Sequence, residues 1–238
     1  HTRIGSAAAY IADCRQLMVS GRRNFLKSAG AGTIATLVPS AIAAATQVKE
    51  DKKAMSNIVL VPGAFHGGWY YSPLLPALRA AGHNPFTISL SGLNGPKERQ
   101  NGAINLDTHI DDVVSLIEQE QLNDVVLCGH SYGGMVIAGA AERLAGRIRT
   151  LLFIDALAPE NGDSVWTTFK EFQRDRFIAA SPDGLVTPPP PGVDARARPH
   201  PLATFLQPVR LTEKAYAVKN KVYALCATNK GSPFEAIH

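Results

Sequence analysis

A chain of 238 residues with 45% apolar side chains can bury one sizeable core, and its glycines and prolines show no low-complexity bias. The formal charge of +4 owes much to Arg3, Arg15, Arg22, Arg23 and Lys27 near the amino terminus. No basic stripe interleaved with aromatics follows, which argues against a nucleic-acid partner.

Residues 1–17 precede Met18 and begin with His1, and are expected to be upstream or non-native sequence without function. Around the segment 18–45, "SGRRNFLKSAGAGTIATLVPSAIAAATQ" (20–47) sets Arg22-Arg23 before Phe25-Leu26, a weakly apolar run and small residues suited to A-x-A cleavage. This resembles a twin-arginine export signal and implies a periplasmic or secreted protein. The run is too short and too glycine-broken for a spanning helix, so no stable membrane anchor is expected after the signal is removed. Cleavage near Ala43 or Ala45 would remove Cys14 and leave Cys128 and Cys226 in apolar runs. That spacing makes neither a disulfide framework nor a metal site, and no metal is expected.

From Asn57 the chain alternates short apolar runs with helical patterns, which predicts a mostly parallel sheet with helices on both faces. "NIVLVPG" (57–63) reads as a strand closed by a Pro-Gly breaker, "SPLLPALRAAGH" (72–83) as a helix and "NPFTISL" (84–90) as a second strand. "NLDTHIDDVVSLIEQEQ" (105–121) puts Ile110, Val113, Val114 and Ile117 on one helical face. "DVVLCG" (124–129) is a buried strand, "SYGGMVIAGAAERLAG" (131–146) a small-residue helix and "IRTLLFIDA" (148–156) the next strand. Residues 157 to about 215 lose the strand rhythm but carry Trp166, Phe169, Phe172, Phe177 and Phe205, which suits a lid packed over something. "NKVYALCAT" (220–228) resumes the sheet.

Chemistry is most legible in "LCGHSYGGMV" (127–136), a Gly-x-Ser-x-Gly between a predicted strand and a predicted helix. A nucleophile at such a tight turn needs little bulk beside it, and Gly129 and Gly133 supply that for Ser131. The following helix aims backbone N–H groups and its positive dipole end at developing negative charge. "VPGAFHGGWYY" (61–71) offers a second set of donors, and the backbone N–H groups of Ala64 and Tyr132 are the expected oxyanion hole. Phe65, His66 and Trp69 on that loop are the expected pocket residues.

Taken together, "VLVPGAFHGGWYY", "ISLSGLNG", "INLDTHIDDVVSLIE", "VVLCGHSYGGMVIAG" and "LLFIDALAPENGDS" resemble the α/β-hydrolase branch of plant methyl-ester esterases, hydroxynitrile lyases and their bacterial esterase relatives. The resemblance is close over residues 57–167 and loose over the lid and 209–238. It implies an α/β-hydrolase fold over 57–238 with an inserted lid. It also implies a serine carboxylesterase that acts on small esters through an acyl-enzyme on Ser131, without cofactor.

Two departures bear on the mechanism. Pro62-Gly63 stands where the family has His-Gly, which removes a side chain and keeps the backbone donors. The family's acid aligns with Asn229, which cannot carry the charge that stabilises an imidazolium, so Asp155 is the best ionisable substitute. Its alternative role is a polar strand-end cap.

The base should follow the acid on a loop after one further strand. Only His200 and His238 lie downstream of Asp155; the first sits between prolines in the lid and reads as a structural or pocket residue, the second is the terminal residue. His66 reads as a residue of the oxyanion loop and His130 as pointing away from a tight elbow. His83 and His109 read as surface or helix-end residues. The economical expectation is that the base lies outside this chain, which would stop about 30 residues before the last strand, base loop and helix; this chain alone would then hydrolyse activated esters poorly. The alternatives are a hydroxynitrile lyase-like C–C lyase on the same scaffold, which needs a lysine near the base, and a catalytically impaired or ligand-binding member.

Overall fold

The computed structural model describes residues 55–93 and 102–226, so the export-type segment, Asn229 and His238 lie outside the described residues. A five-stranded sheet organises the chain. Its strands are β1 (Asn57–Val61), β2 (Asn84–Thr87), β3 (Val125–Ser131), β4 (Ile148–Ala156) and β7 (Asn220–Ala224), in the order β2-β1-β3-β4-β7. Every pairing is parallel, as short apolar runs joined by helical crossovers require.

Side-chain alternation in β1 divides the two faces. Ile58 and Leu60 pack with Tyr71 and Cys128 under Leu74, Leu75 and Leu78, around helix α1 (Leu75–Ala80). Val59 and Val61 enter the larger cluster on the opposite face, with α2 (Leu106–Gln119) and α3 (Gly133–Leu144).

The start of α2 is set by a capping box. The Asn105 side chain accepts from the Thr108 N–H at 3.1 Å, and Thr108 Oγ1 accepts from the Asn105 N–H at 3.2 Å. Its inward face is Leu106, His109, Ile110, Val113 and Ile117. The expectation that His109 is a surface or helix-end residue is therefore corrected: at three residues beyond Leu106 and four before Val113 it falls on the apolar stripe, and it is fully buried. Helix α3 lies against α2 so closely that a Cβ on Gly139 would meet Ile110 Cδ1 at 2.2 Å.

Between β4 and β7 the insertion forms α4 (Val165–Thr168), α5 (Glu171–Ala180), α6 (Ala203–Leu206) and α7 (Glu213–Tyr216). It also forms a minimal antiparallel pair, β5 (Val186–Thr187) with β6 (His200–Pro201). The expectation of no strand here is corrected by that pair, which at two residues each is too short for any periodicity to reveal. Phe169 stacks on Phe177 at 5.0 Å and Phe177 meets Phe205 edge-on at 5.4 Å, which joins the insertion to the main core. Phe172, by contrast, is exposed.

Candidate active site

β3 ends at Ser131, Tyr132 is the N-cap residue of α3, and no side chain caps that helix start. Its first-turn N–H groups are therefore not bonded by a capping side chain. Ser131 holds φ 53°, a left-handed conformation that side chains other than glycine rarely adopt. Gly129 and Gly133 explain how the turn closes: a Cβ at Gly129 would meet Gly133 O at 2.6 Å, and one at Gly133 would meet Val61 O at 2.7 Å. Ser131 keeps partial access to solvent, and its carbonyl accepts from the Leu157 N–H at 3.1 Å.

The loop after β1 comes up against this turn. A Cβ on Gly63 would fall 3.0 Å from Ser131 Cβ, so only a glycine lets the chain pass so near. The next residue is Ala64, one of the two expected oxyanion donors, and then Phe65 at φ 69°. His66 Nδ1 donates to Ala64 O at 2.7 Å, and the His66 N–H donates to Gly63 O at 3.4 Å. Phe65 is held from the insertion: its N–H donates to His200 Nδ1 at 3.3 Å and its carbonyl accepts from the Arg198 N–H at 2.9 Å.

Asp155 is buried, at φ 44° near the end of β4, where Ala156 pairs with Ser131. Phe65, Ser131 and Asp155 thus share a conformation that costs about 1–3 kcal/mol per residue, and strain of this kind clusters at functional sites. The Asp155 carboxylate acts on His130 and on Tyr223, whose hydroxyl donates to Ala156 O at 2.7 Å.

Histidines surround the site, and burial lowers the pKa of His66, His109, His130 and His200. His130 stacks on Tyr70 at 5.5 Å and is lowered to about 4 by desolvation, which the Asp155 carboxylate only partly opposes. His66 is lowered by burial despite its bond to Ala64. His109 is lowered by burial as well; its Nε2–H donates to Ser91 O at 2.8 Å, and its Nδ1 accepts from the Tyr132 hydroxyl at 2.9 Å. His200 is pushed well below the usual range by burial. Among the described residues, no side chain hydrogen-bonds the Ser131 hydroxyl. The imidazoles of His66, His109 and His200 are bonded to Ala64 O, to Ser91 O and the Tyr132 hydroxyl, and to the Phe65 N–H, rather than to the serine.

A cavity of about 290 Å³ opens beside Phe65 of the loop after β1, lined also by Gln173, Arg176, Phe177 and Pro188 to Pro191. Of the expected pocket residues Phe65 lines this cavity, whereas Ser131, Ala64 and Tyr132 are not among its lining residues. His66 and Trp69 do not line this cavity; their rings lie tilted against each other at 5.4 Å, and the Arg196 guanidinium lies 4.1 Å from the Trp69 ring centre. The helical spacing of α2 carries the signal for His109. No pattern in the sequence points to the seat of His200 on Phe65.

Comparison with known proteins agrees with this architecture. Residues 58–234 match the model of the alpha/beta hydrolase family. A carbendazim hydrolyzing esterase of Nocardioides sp. is 40% identical over 202 residues, spanning 76% of this chain and 84% of that protein. Methyl jasmonate esterase 1 of Vitis vinifera is 29% identical over 170 residues, and the match spans 69% of this chain and 61% of its length. Among solved structures, an extracellular alpha/beta-hydrolase from a Paenibacillus species superimposes with a TM-score of 0.63 at 24% identity, covering 71% of this chain and 77% of that one, a likeness of fold. The chain belongs to the α/β hydrolase family and stands among its carboxylic ester hydrolases.

Proposed function

We propose that the protein is a serine esterase that hydrolyses small carboxylic esters through an acyl-enzyme on Ser131. The observation that carries this reading is the left-handed Ser131 at a strand-to-helix turn, with the Gly63 backbone packed against its Cβ. Ser131 Oγ attacks the ester carbonyl as its proton passes to a base, and the carbonyl oxygen becomes an oxyanion held by the Ala64 and Tyr132 N–H groups. Collapse of the intermediate expels the alcohol with a proton and leaves the acyl group on Ser131. Water then repeats the sequence and releases the acid.

Asp155 is the acid of this scheme, a buried carboxylate beside the strand that carries the nucleophile. The insertion serves as the lid, and the largely apolar cavity at Phe65 suits the uncharged part of an ester. Relatives named for the hydrolysis of carbendazim and of methyl jasmonate support ester-type substrates of that size. The Arg22-Arg23 segment supports export. Steady-state hydrolysis of p-nitrophenyl acetate by the enzyme and by Ser131→Ala tests the reading. The variant is expected to fall to the background left by the other groups, a loss of several orders of magnitude where the base is present and a smaller one in this chain alone, and unchanged turnover would refute it.

A further inference from the structure

The insertion grips the oxyanion loop through backbone groups. Three successive peptide planes are pinned. Gly63 O accepts from the His66 N–H, and Ala64 O accepts from His66 Nδ1. The Phe65 N–H donates to His200 Nδ1, and Phe65 O accepts from the Arg198 N–H. The last two bonds come from a segment about 135 residues away in sequence, and they hold Phe65 at its φ of 69°.

The imidazole of His200 reaches both halves of the site. It is fully buried, stacked on Phe205 at 4.5 Å and edge-on to Tyr132 at 4.8 Å, with His109 at 5.6 Å and Phe65 at 5.6 Å. A neutral imidazole has one donor and one acceptor nitrogen. With Nδ1 accepting from Phe65, the hydrogen must sit on Nε2, and that atom is buried without a hydrogen-bond partner among the described residues. An apolar ring would fill this seat without an orphaned donor. What phenylalanine could not supply is the acceptor for the Phe65 N–H.

We propose that His200 is a positioning residue, which aligns the Ala64 and Tyr132 N–H donors by accepting the Phe65 N–H and bearing on the Tyr132 ring. The inference rests on the reading of Ser131 as nucleophile and of those two donors as its oxyanion hole. It assigns the insertion a part in transition-state stabilisation in addition to any part in binding.

The test compares His200→Phe, which keeps the ring and loses the acceptor, with His200→Asn, whose Oδ1 can stand where Nδ1 stands. Hydrogen exchange of the Phe65 amide and p-nitrophenyl acetate kinetics are read on both, with Ser131→Ala alongside. His200→Phe should speed Phe65 exchange about tenfold or more and lower kcat by a similar factor at unchanged KM, less than the loss for deleting a donor outright. His200→Asn should recover the protection and most of the kcat. Should His200→Phe not fold, His200→Gln, which cannot place an acceptor at the Nδ1 position, takes its role with the same expectation. Unchanged exchange at Phe65, or equal impairment in His200→Asn, would overturn the proposal, as would an intact kcat while Ser131→Ala is inactive. If Ser131→Ala stays active the esterase reading fails instead, and Phe65 exchange alone decides the role of His200.

Discussion

Gly63 and Ser131 face each other across the site, so closely that a Cβ on Gly63 would lie 3.0 Å from Ser131 Cβ and 3.1 Å from His130 Nδ1. A methyl group there must shift its neighbours by a few tenths of an ångström, crowding the loop after β1 against the serine. Gly63→Ala is expected to lower kcat about tenfold or more, since a shift of about 1 Å near the reacting atoms can cost about 100-fold, while overpacking of this kind costs about 1–3 kcal/mol of stability. Esterase kinetics beside a urea melt read both quantities, and an unchanged kcat would mean that the close approach plays no part in turnover.

Two further glycines separate steric need from mere flexibility. A Cβ at Gly134 would overlap Leu157 O at 1.8 Å, whereas one at Gly146 would meet nothing within 4 Å. Gly134→Ala should therefore destabilise the fold by about 3 kcal/mol or more, beyond the usual overpacking range, and Gly146→Ala should be neutral or stabilise by about 0.5 kcal/mol. Thermal melts of the two variants check this, and the opposite ranking would contradict the packing of β4 against the α3 start.

The parallel sheet and its crossovers are legible in the sequence because strands covered on both faces read as continuous apolar runs, and "IRTLLFIDA" matches β4 residue for residue. The turn at Ser131 is legible because its two glycines are local in sequence. His109 is harder to place, because a polar residue on an apolar stripe adds nothing to the periodicity, although Leu106 and Val113 mark its face. The hold of His200 on Phe65 is not legible at all: it joins positions 135 residues apart, and the strand that carries it is two residues long.

Stability should respond to pH through the histidines. His66, His109, His130 and His200 all have folded pKa values below 6.5, chiefly because burial penalises the cation. A depressed pKa means that the unfolded chain binds protons first, so stability is full above about pH 6.5 and is lost as pH falls below it. The slope approaches about 1.4 kcal/mol per pH unit for each histidine still neutral in the fold, and the His130 contribution flattens near pH 4. Asp194 and Glu142, whose pKa values are also lowered, add their loss only in the carboxylate range. Urea melts at about pH 7.5, 6.5, 5.5 and 4.5 read the window; equal stability at the first and third would contradict the burial of these rings.

Asp155→Asn tests the proposed acid. In enzyme that carries its base, loss of the charge that stabilises an imidazolium should lower kcat by about 10⁴. A fall of less than about tenfold would leave Asp155 as a strand-end cap, held at φ 44° by the β4 terminus.

Cys128 should be inert in the native protein. It is buried in the smaller core cluster, and desolvation pushes its thiol up to about 12. Alkylation by iodoacetamide at neutral pH should leave Cys128 unmodified until denaturant is added, as peptide mass spectrometry would show; rapid native modification would contradict the packing of α1 over β3.

Covalent trapping asks directly whether Ser131 carries the acyl group. A fluorophosphonate should modify the enzyme once, on the peptide containing Ser131, and this adduct should be absent from Ser131→Ala. Modification of a different residue, or the same adduct yield in Ser131→Ala, would contradict the assignment of Ser131 as the nucleophile.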